Sequence, residues 1–229
     1  MRTEDLIRTL ASEAKPVQRL AHPGWRVAYW LSISLAYVAM VVLIMGTRSD
    51  LAAKSGEARF VIEVAAAFLT GVMAAAAAFC AGSPGRPLWE RFAPLPPLAL
   101  WLGSLGEGCW QDWLRAGPDG LTIQPDFMCF PSILMVSLVP GALILMMIRR
   151  GAPTTPVLTT ALATLAASAL GAAGLRLFHA SDASLMILVW QFGTVAILTA
   201  FGALFGRKLL HWPERPVVGS EADALATRM

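Results

Sequence analysis

Long apolar runs separated by short polar segments set the pattern of the chain. Runs of about 20 residues, the length that carries a helix across roughly 30 Å of hydrocarbon, occupy residues 25–46, 60–81, 88–109, 128–148, 156–178 and 184–206. They predict an all-α integral membrane protein with six transmembrane helices. Five runs are plain from hydropathy. The third carries Glu90 and Arg91 near one end, Glu107 near the other, and Pro94, Pro96 and Pro97 within it.

Charge placement supports keeping that third run, because cytoplasmic segments hold the excess of Lys and Arg in membrane proteins. With six spans and both termini cytoplasmic, only Arg48, Lys54, Arg59, Arg115 and Arg176 fall on the outer side, and every other Lys and Arg falls inside. Without the third span, Arg149, Arg150, Arg207 and Lys208 would change sides and the bias would reverse over the second half. Trp25, Trp89, Trp110, Trp113 and Trp212 fall near the expected interfaces, where indoles settle. The organisation predicted is a cytoplasmic arm (1–24), a six-helix membrane domain (25–206) and a cytoplasmic tail (207–229). The tail reads as disordered from its prolines and small residues. The polar first 24 residues and the spanning length of the first run make that run both signal and anchor.

Composition narrows the function classes. Apolar residues make up 56% of the chain and charged ones 14%, with a mean hydropathy of +0.61, which excludes a water-soluble domain. The net charge of +3 is spread over short loops without a dense basic cluster, so no direct nucleic-acid partner is implied beside the lipid bilayer itself. Phosphate-binding glycine loops, HExxH pairs, nucleophile elbows and paired intramembrane carboxylates are all missing, and no enzymatic activity is expected.

The arm has its own pattern. Thr3 can cap a helix with Glu4 and Asp5 in its first turn, and Pro16 would stop it. Leu6, Ile7, Leu10, Ala14 and Val17 then share one stripe. So short a helix is marginal alone in water. Either the lipid surface or a groove on a soluble cytoplasmic protein should cover the stripe.

Candidate chemistry gathers on the outer side. Cys109 ends the third run and Cys129 opens the fourth, joined by one loop in a compartment that is oxidising in bacteria, so a disulfide is one reading. Met128 lies beside Cys129, and His179 stands at the outer end of the fifth run. Thiolate, thioether and imidazole together suit a soft or borderline ion such as Cu(I) or Zn, held transiently rather than as a resident cofactor. Cys129, Cys109 and His179 are the candidate ligands. Cys80, at the inner end of the second run, reads as a packing residue.

Glu63 lies one turn inside the second span, where an ionisable group is costly unless paired. It is either a functional intramembrane carboxylate or the i+4 partner of Arg59. Arg176 and Asp182 flank His179 as a candidate ion pair, Glu107 and Asp112 flank Cys109, and the Gln191 amide requires a partner across a helix contact. Small residues crowd the second and fifth spans, the composition of close helix packing.

In order along the chain, MRTEDLIRTLASEAKPVQRL, WLSISLAY, FVIEVAAAFLTG, CFPSILMVSLVPGALILMMIRRGAP and LRLFHASDASLMILVWQFGTV resemble the NrsF family of bacterial inner-membrane anti-sigma factors, over roughly residues 1–212. The resemblance implies a multi-pass inner-membrane protein whose arm, through Asp5, Leu6, Ile7 and Leu10, sequesters an extracytoplasmic-function sigma factor until a heavy metal or oxidant is sensed outside. It also implies sensing cysteines at the start of span four and after span five. Cys129 matches the first position. Ala180 occupies the second, leaving Cys109, Met128 or His179 as substitutes. A small transporter or metal-efflux component is the alternative reading, in which Glu63 would matter most, and a structural subunit of a larger complex is a third.

Overall fold

The computed structural model describes residues 3–13, 20–83, 85–123, 126–151, 155–180 and 183–210. Within them all regular structure is helical. Helix α1 (Thr3–Glu13) is followed by α2 (Pro23–Met45), the single turn α3 (Leu51–Lys54), α4 (Ala58–Ala81), α5 (Leu95–Ala116), α6 (Cys129–Arg149) and α7 (Pro156–Leu175). The last helix begins as α8 (Ser184–Met186), passes through a π-helical stretch at Ile187–Phe192 and ends as α9 (Gly193–Leu209).

Among the described residues, five helices are long and apolar enough to cross a membrane: α2, α4, α6, α7 and the composite Ser184–Leu209. The third expected run, 88–109, is displaced. Residues Leu88–Phe92 form a 3-10 turn, and α5 starts at Leu95 and runs on to Ala116. The cause is the proline cluster: a helix interior does not accommodate prolines, whereas its first turn, where N–H groups lack partners anyway, accepts them. Pro94 therefore caps α5, and Pro96 and Pro97 fall in its opening turn. The shift brings Asp112 and Arg115 into the helix, so α5 is less apolar than the other five.

The remaining expected spans agree within a few residues. Span six continues past 206 to Leu209, so the tail starts later than the composition suggested. Ala14, Lys15, Pro16, Val17, Arg19, Asp182 and the tail from 211 lie outside the described residues.

Helix α7 is the centre of the bundle, packed against α4, α6 and α9 and touching α2. In lipid, helices associate through close packing rather than through water exclusion, and small residues make that packing possible. Two positions illustrate it. A Cβ on Gly71 of α4 would lie 3.0 Å from the Ala166 carbonyl of α7. One on Gly202 of α9 would collide with Thr164 of α7. The alanine-rich stripes of α4 and α7 thus face each other inside the molecule.

Helix α6 carries Pro140 in its interior. Proline supplies no N–H to the turn before it and pushes on the carbonyl of residue i−4, which loosens the local ladder. Two donors from α2 fill the neighbourhood: Trp30 Nε1 to the Pro140 carbonyl at 2.9 Å and the Tyr37 hydroxyl to the Met135 carbonyl at 2.9 Å. At the foot of the same seam, Arg26 Nη2 donates to the Met147 carbonyl at 2.7 Å. Hydrogen bonds along its length, in addition to packing, hold α2 to α6.

Candidate functional site

Two groups of polar residues collect at the end of the bundle where α4 and α6 begin and α7 finishes. The first is built from three residues. The Cys129 N–H donates to the Asp126 carbonyl at 3.2 Å, which starts α6 and sets the two side chains three residues apart on one helical face. After α7 the chain makes one further turn, in which the His179 N–H donates to the Leu175 carbonyl at 2.9 Å. This turn delivers the imidazole to the head of α6, where Nε2 lies 2.8 Å from Asp126 Oδ2. The Cys129 thiol is buried, and Asp126 and His179 are partly so.

One carboxylate oxygen, one sulfur and one ring nitrogen of these three residues all lie within 4.8 Å of one another. Tetrahedral coordination at metal–ligand distances of about 2.0–2.3 Å needs ligand atoms roughly 3.3–3.8 Å apart, so the 2.8 Å His179–Asp126 pair would open slightly and any wider separation would close. The donor set is that of a zinc-like or cadmium-like ion, with one position left over.

Asp126 was not singled out from the sequence, although its spacing from Cys129 was a usable signal. Cys109 belongs elsewhere: it is a free thiol, as is Cys129, and its electrostatic neighbours are Asp112, Arg59 and Glu63. Met128, at the N-cap of α6, is 67% exposed and is not among the three clustered ligand residues.

The backbone that carries His179 is clamped from the loop after α2. The Arg48 N–H donates to the Leu177 carbonyl at 3.1 Å, and Arg48 Nη1 reaches the His179 carbonyl at 3.5 Å. Asp50 accepts from Arg48 Nε at 2.6 Å and from Nη2 at 2.8 Å. This two-point bond holds the Asp50 carboxyl well below the usual carboxylate range, at about 2.

The second group centres on Glu63. Its carboxylate accepts from Arg59 Nε at 3.0 Å and lies 3.2 Å from Arg176 Nη2, with Glu63 and Arg176 both buried. The expected i+4 pairing with Arg59 is present, and α7 contributes a second arginine. Arg176 thus pairs with Glu63; Asp182, its candidate partner, lies outside the described residues. Asp112 of α5 accepts from the Ser184 hydroxyl at 2.9 Å, and Glu107 accepts from Gln111 at 2.9 Å. These contacts join α4, α5, α7 and α8 around a polar cavity of about 210 Å³. The Gln191 amide, expected to pair across a helix contact, is buried with its Nε2 lacking a hydrogen-bond partner.

Helix α1 precedes α2 in the chain, and α2 begins at the opposite end of the bundle. Residues 3–9 of α1 are all exposed, including Leu6 and Ile7. Asp5 is exposed in the first turn. Leu10 lies in the helix, and its side chain is outside the described set.

A family model described as NrsF, negative regulator of sigma F, matches residues 10–212. No curated protein and no solved structure matches the chain.

Proposed function

Because the chain belongs to the NrsF family of negative regulators of sigma F, we propose that it is a membrane anti-sigma factor that binds an extracytoplasmic-function sigma factor through α1. The observation that carries this reading is the exposed apolar face of Leu6 and Ile7 on a helix that the bundle leaves uncovered. A helix this short gains its stability from a surface that buries its stripe, and a groove on a soluble partner supplies one.

In this reading the arm is cytoplasmic and α5 serves as a sixth span. The end of the bundle nearest α1 holds Arg26, Arg86, Arg149, Arg150, Arg207 and Lys208, the enrichment typical of a cytoplasmic face. Asp126, Cys129 and His179 then face the outer side of a bacterial inner membrane, where a thiophilic divalent cation is the signal. Binding replaces the His179–Asp126 hydrogen bond by coordination, and the Cys129 thiol gives its proton to water as the sulfur becomes a ligand.

Coordination resets the position of the head of α6 against the end of α7. Helix α6 carries Cys129 at one end and, at the other, the Met147 carbonyl that accepts from Arg26 at the root of the arm. Movement of α6 therefore reaches α2 and the arm, and the partner is released. A tenfold change in occupancy needs only about 1.4 kcal/mol of differential affinity.

The test is co-purification of the full-length protein with each extracytoplasmic-function sigma factor of its host. Wild type should retain one of them, Leu6→Asp and Ile7→Asp should lose it, and Arg115→Gln at the other end of the bundle should not. Retention by both arm variants would place the binding surface elsewhere.

A further inference from the structure

The end of the bundle nearest the arm contains a pocket of about 520 Å³ beside the Arg26–Met147 joint, lined by Leu20, Trp25, Arg26, Tyr29, Met147 and Arg150. Arg26 is its unusual member. The side chain is 6% exposed, its guanidinium lies 4.4 Å over the Phe79 ring, and Nη2 is engaged by the Met147 carbonyl, yet Nη1 is buried with no hydrogen-bond partner. A buried cationic donor left unsatisfied is costly, and such a group ordinarily meets an anion. Among the described residues no carboxylate pairs with Arg26 or with Arg150, which is exposed just after α6.

We propose that this pocket receives the phosphate headgroup of an anionic phospholipid, in the leaflet that surrounds the start of α2. Three features favour a lipid. The site lies at the start of α2, a helix long and apolar enough to cross a membrane. Trp25 and Tyr29 are 76% and 59% exposed one turn apart on α2, the placement of interfacial aromatics. Leu20 and Met147 offer apolar walls to the glycerol and upper acyl region. The two guanidiniums select net charge: a zwitterionic headgroup would bring its own cation among them, whereas phosphatidylglycerol brings none. The site lies between α2 and the end of α6, so lipid bound there would brace the Arg26–Met147 joint. This proposal stands apart from the identity of the protein partner.

The experiment uses the full chain, reconstituted into vesicles of phosphatidylcholine with and without phosphatidylglycerol, then extracted gently and weighed intact to count retained lipids. Wild type should retain phosphatidylglycerol about tenfold over phosphatidylcholine, the value of one good charge-assisted hydrogen bond. Arg26→Gln and Arg150→Gln should each abolish most of that preference, and Arg115→Gln should preserve it. Arg150 is exposed, so its variant reports even if Arg26→Gln does not fold. Equal retention of the two lipids, or a preference that survives Arg150→Gln, would overturn the proposal. So would equal loss in Arg115→Gln, which would mark general charge attraction, or displacement of the lipid by inorganic phosphate alone, which would mark a free-anion site.

Discussion

Arg176, at the C-cap of α7, meets Glu63 of α4 at 3.2 Å, where Arg59 holds the other carboxylate oxygen. Removing one member of a buried pair strands the opposite charge and costs about 3 kcal/mol. Glu63→Gln should therefore lower stability in detergent by that order, measured by thermal or denaturant unfolding. The double variant Glu63→Gln with Arg176→Met should be less unstable than the sum of the singles, with a coupling of about 1–3 kcal/mol. Strict additivity would show that the two side chains are independent.

The arm and the bundle should separate energetically. Leu6 and Ile7 are exposed, so Leu6→Asp and Ile7→Asp should leave the unfolding midpoint of the membrane domain within the effect of an ordinary surface change, about 0.5 kcal/mol. The same variants should abolish sigma-factor retention and raise expression of the genes that the factor transcribes.

Cadmium titration should produce a thiolate charge-transfer band in the ultraviolet for the wild-type protein. Cys129→Ser should eliminate the band, and Asp126→Asn and His179→Ala should weaken affinity by at least about 10–100-fold, the range that even outer-sphere partners of a metal command. Cys109→Ser should leave the titration unchanged, since that thiol faces the Arg59–Glu63 group. A band that survives Cys129→Ser would relocate the ion.

Acid should loosen the loop after α2 late. With its carboxyl held at about 2 against an ordinary value of 3.8, Asp50 stabilises the folded loop fully above 3.8 and ceases to do so as the pH falls toward about 2. Amide exchange at Leu51–Lys54, followed between roughly pH 5 and pH 2, should show protection that persists through pH 3.8 and fails below it. In Asp50→Asn the protection should be low throughout and should lack this step.

The α4–α7 seam should reject bulk. A Cβ at Gly71 already approaches the Ala166 carbonyl to 3.0 Å and the Leu170 nitrogen to 3.2 Å, both rigid backbone atoms. Gly71→Val should cost about 1–3 kcal/mol through overpacking, read as a lower unfolding midpoint, whereas Val at Gly103, which has open space around it, should not.

Spacing of apolar runs made α2, α4, α6, α7 and the last helix legible, because a bilayer demands one length of every spanning helix. It misplaced α5, where proline chemistry rather than hydropathy sets the start: a window sum treats Pro94, Pro96 and Pro97 as mildly apolar residues, while the backbone treats them as a first turn. At the candidate site, Cys129 and His179 were visible as metal-binding residue types at adjacent helix ends. Asp126 was passed over: its three-residue spacing from Cys129 puts it near the thiol, but its meeting with His179 comes only from the fold. Glu63 shows the converse. Its neighbour Arg59 is apparent from i+4 spacing, but Arg176 comes from a helix more than a hundred residues away, a proximity that no local pattern encodes.

Helix α7, wrapped on several sides by its neighbours, has His179 just past one end and meets Gly206 of α9 near the other. Twenty residues at 1.5 Å each give a rod about 30 Å long. A tilt of about five degrees about either tip would swing the far tip by roughly 2–3 Å, close to the width of one methyl contact. Because glycines and alanines fill its seams, little soft side-chain volume lies beside it to absorb such a swing. The rod is a lever with stiff bearings, so a sub-nanometre displacement imposed at one tip would reach the other as a change of fit.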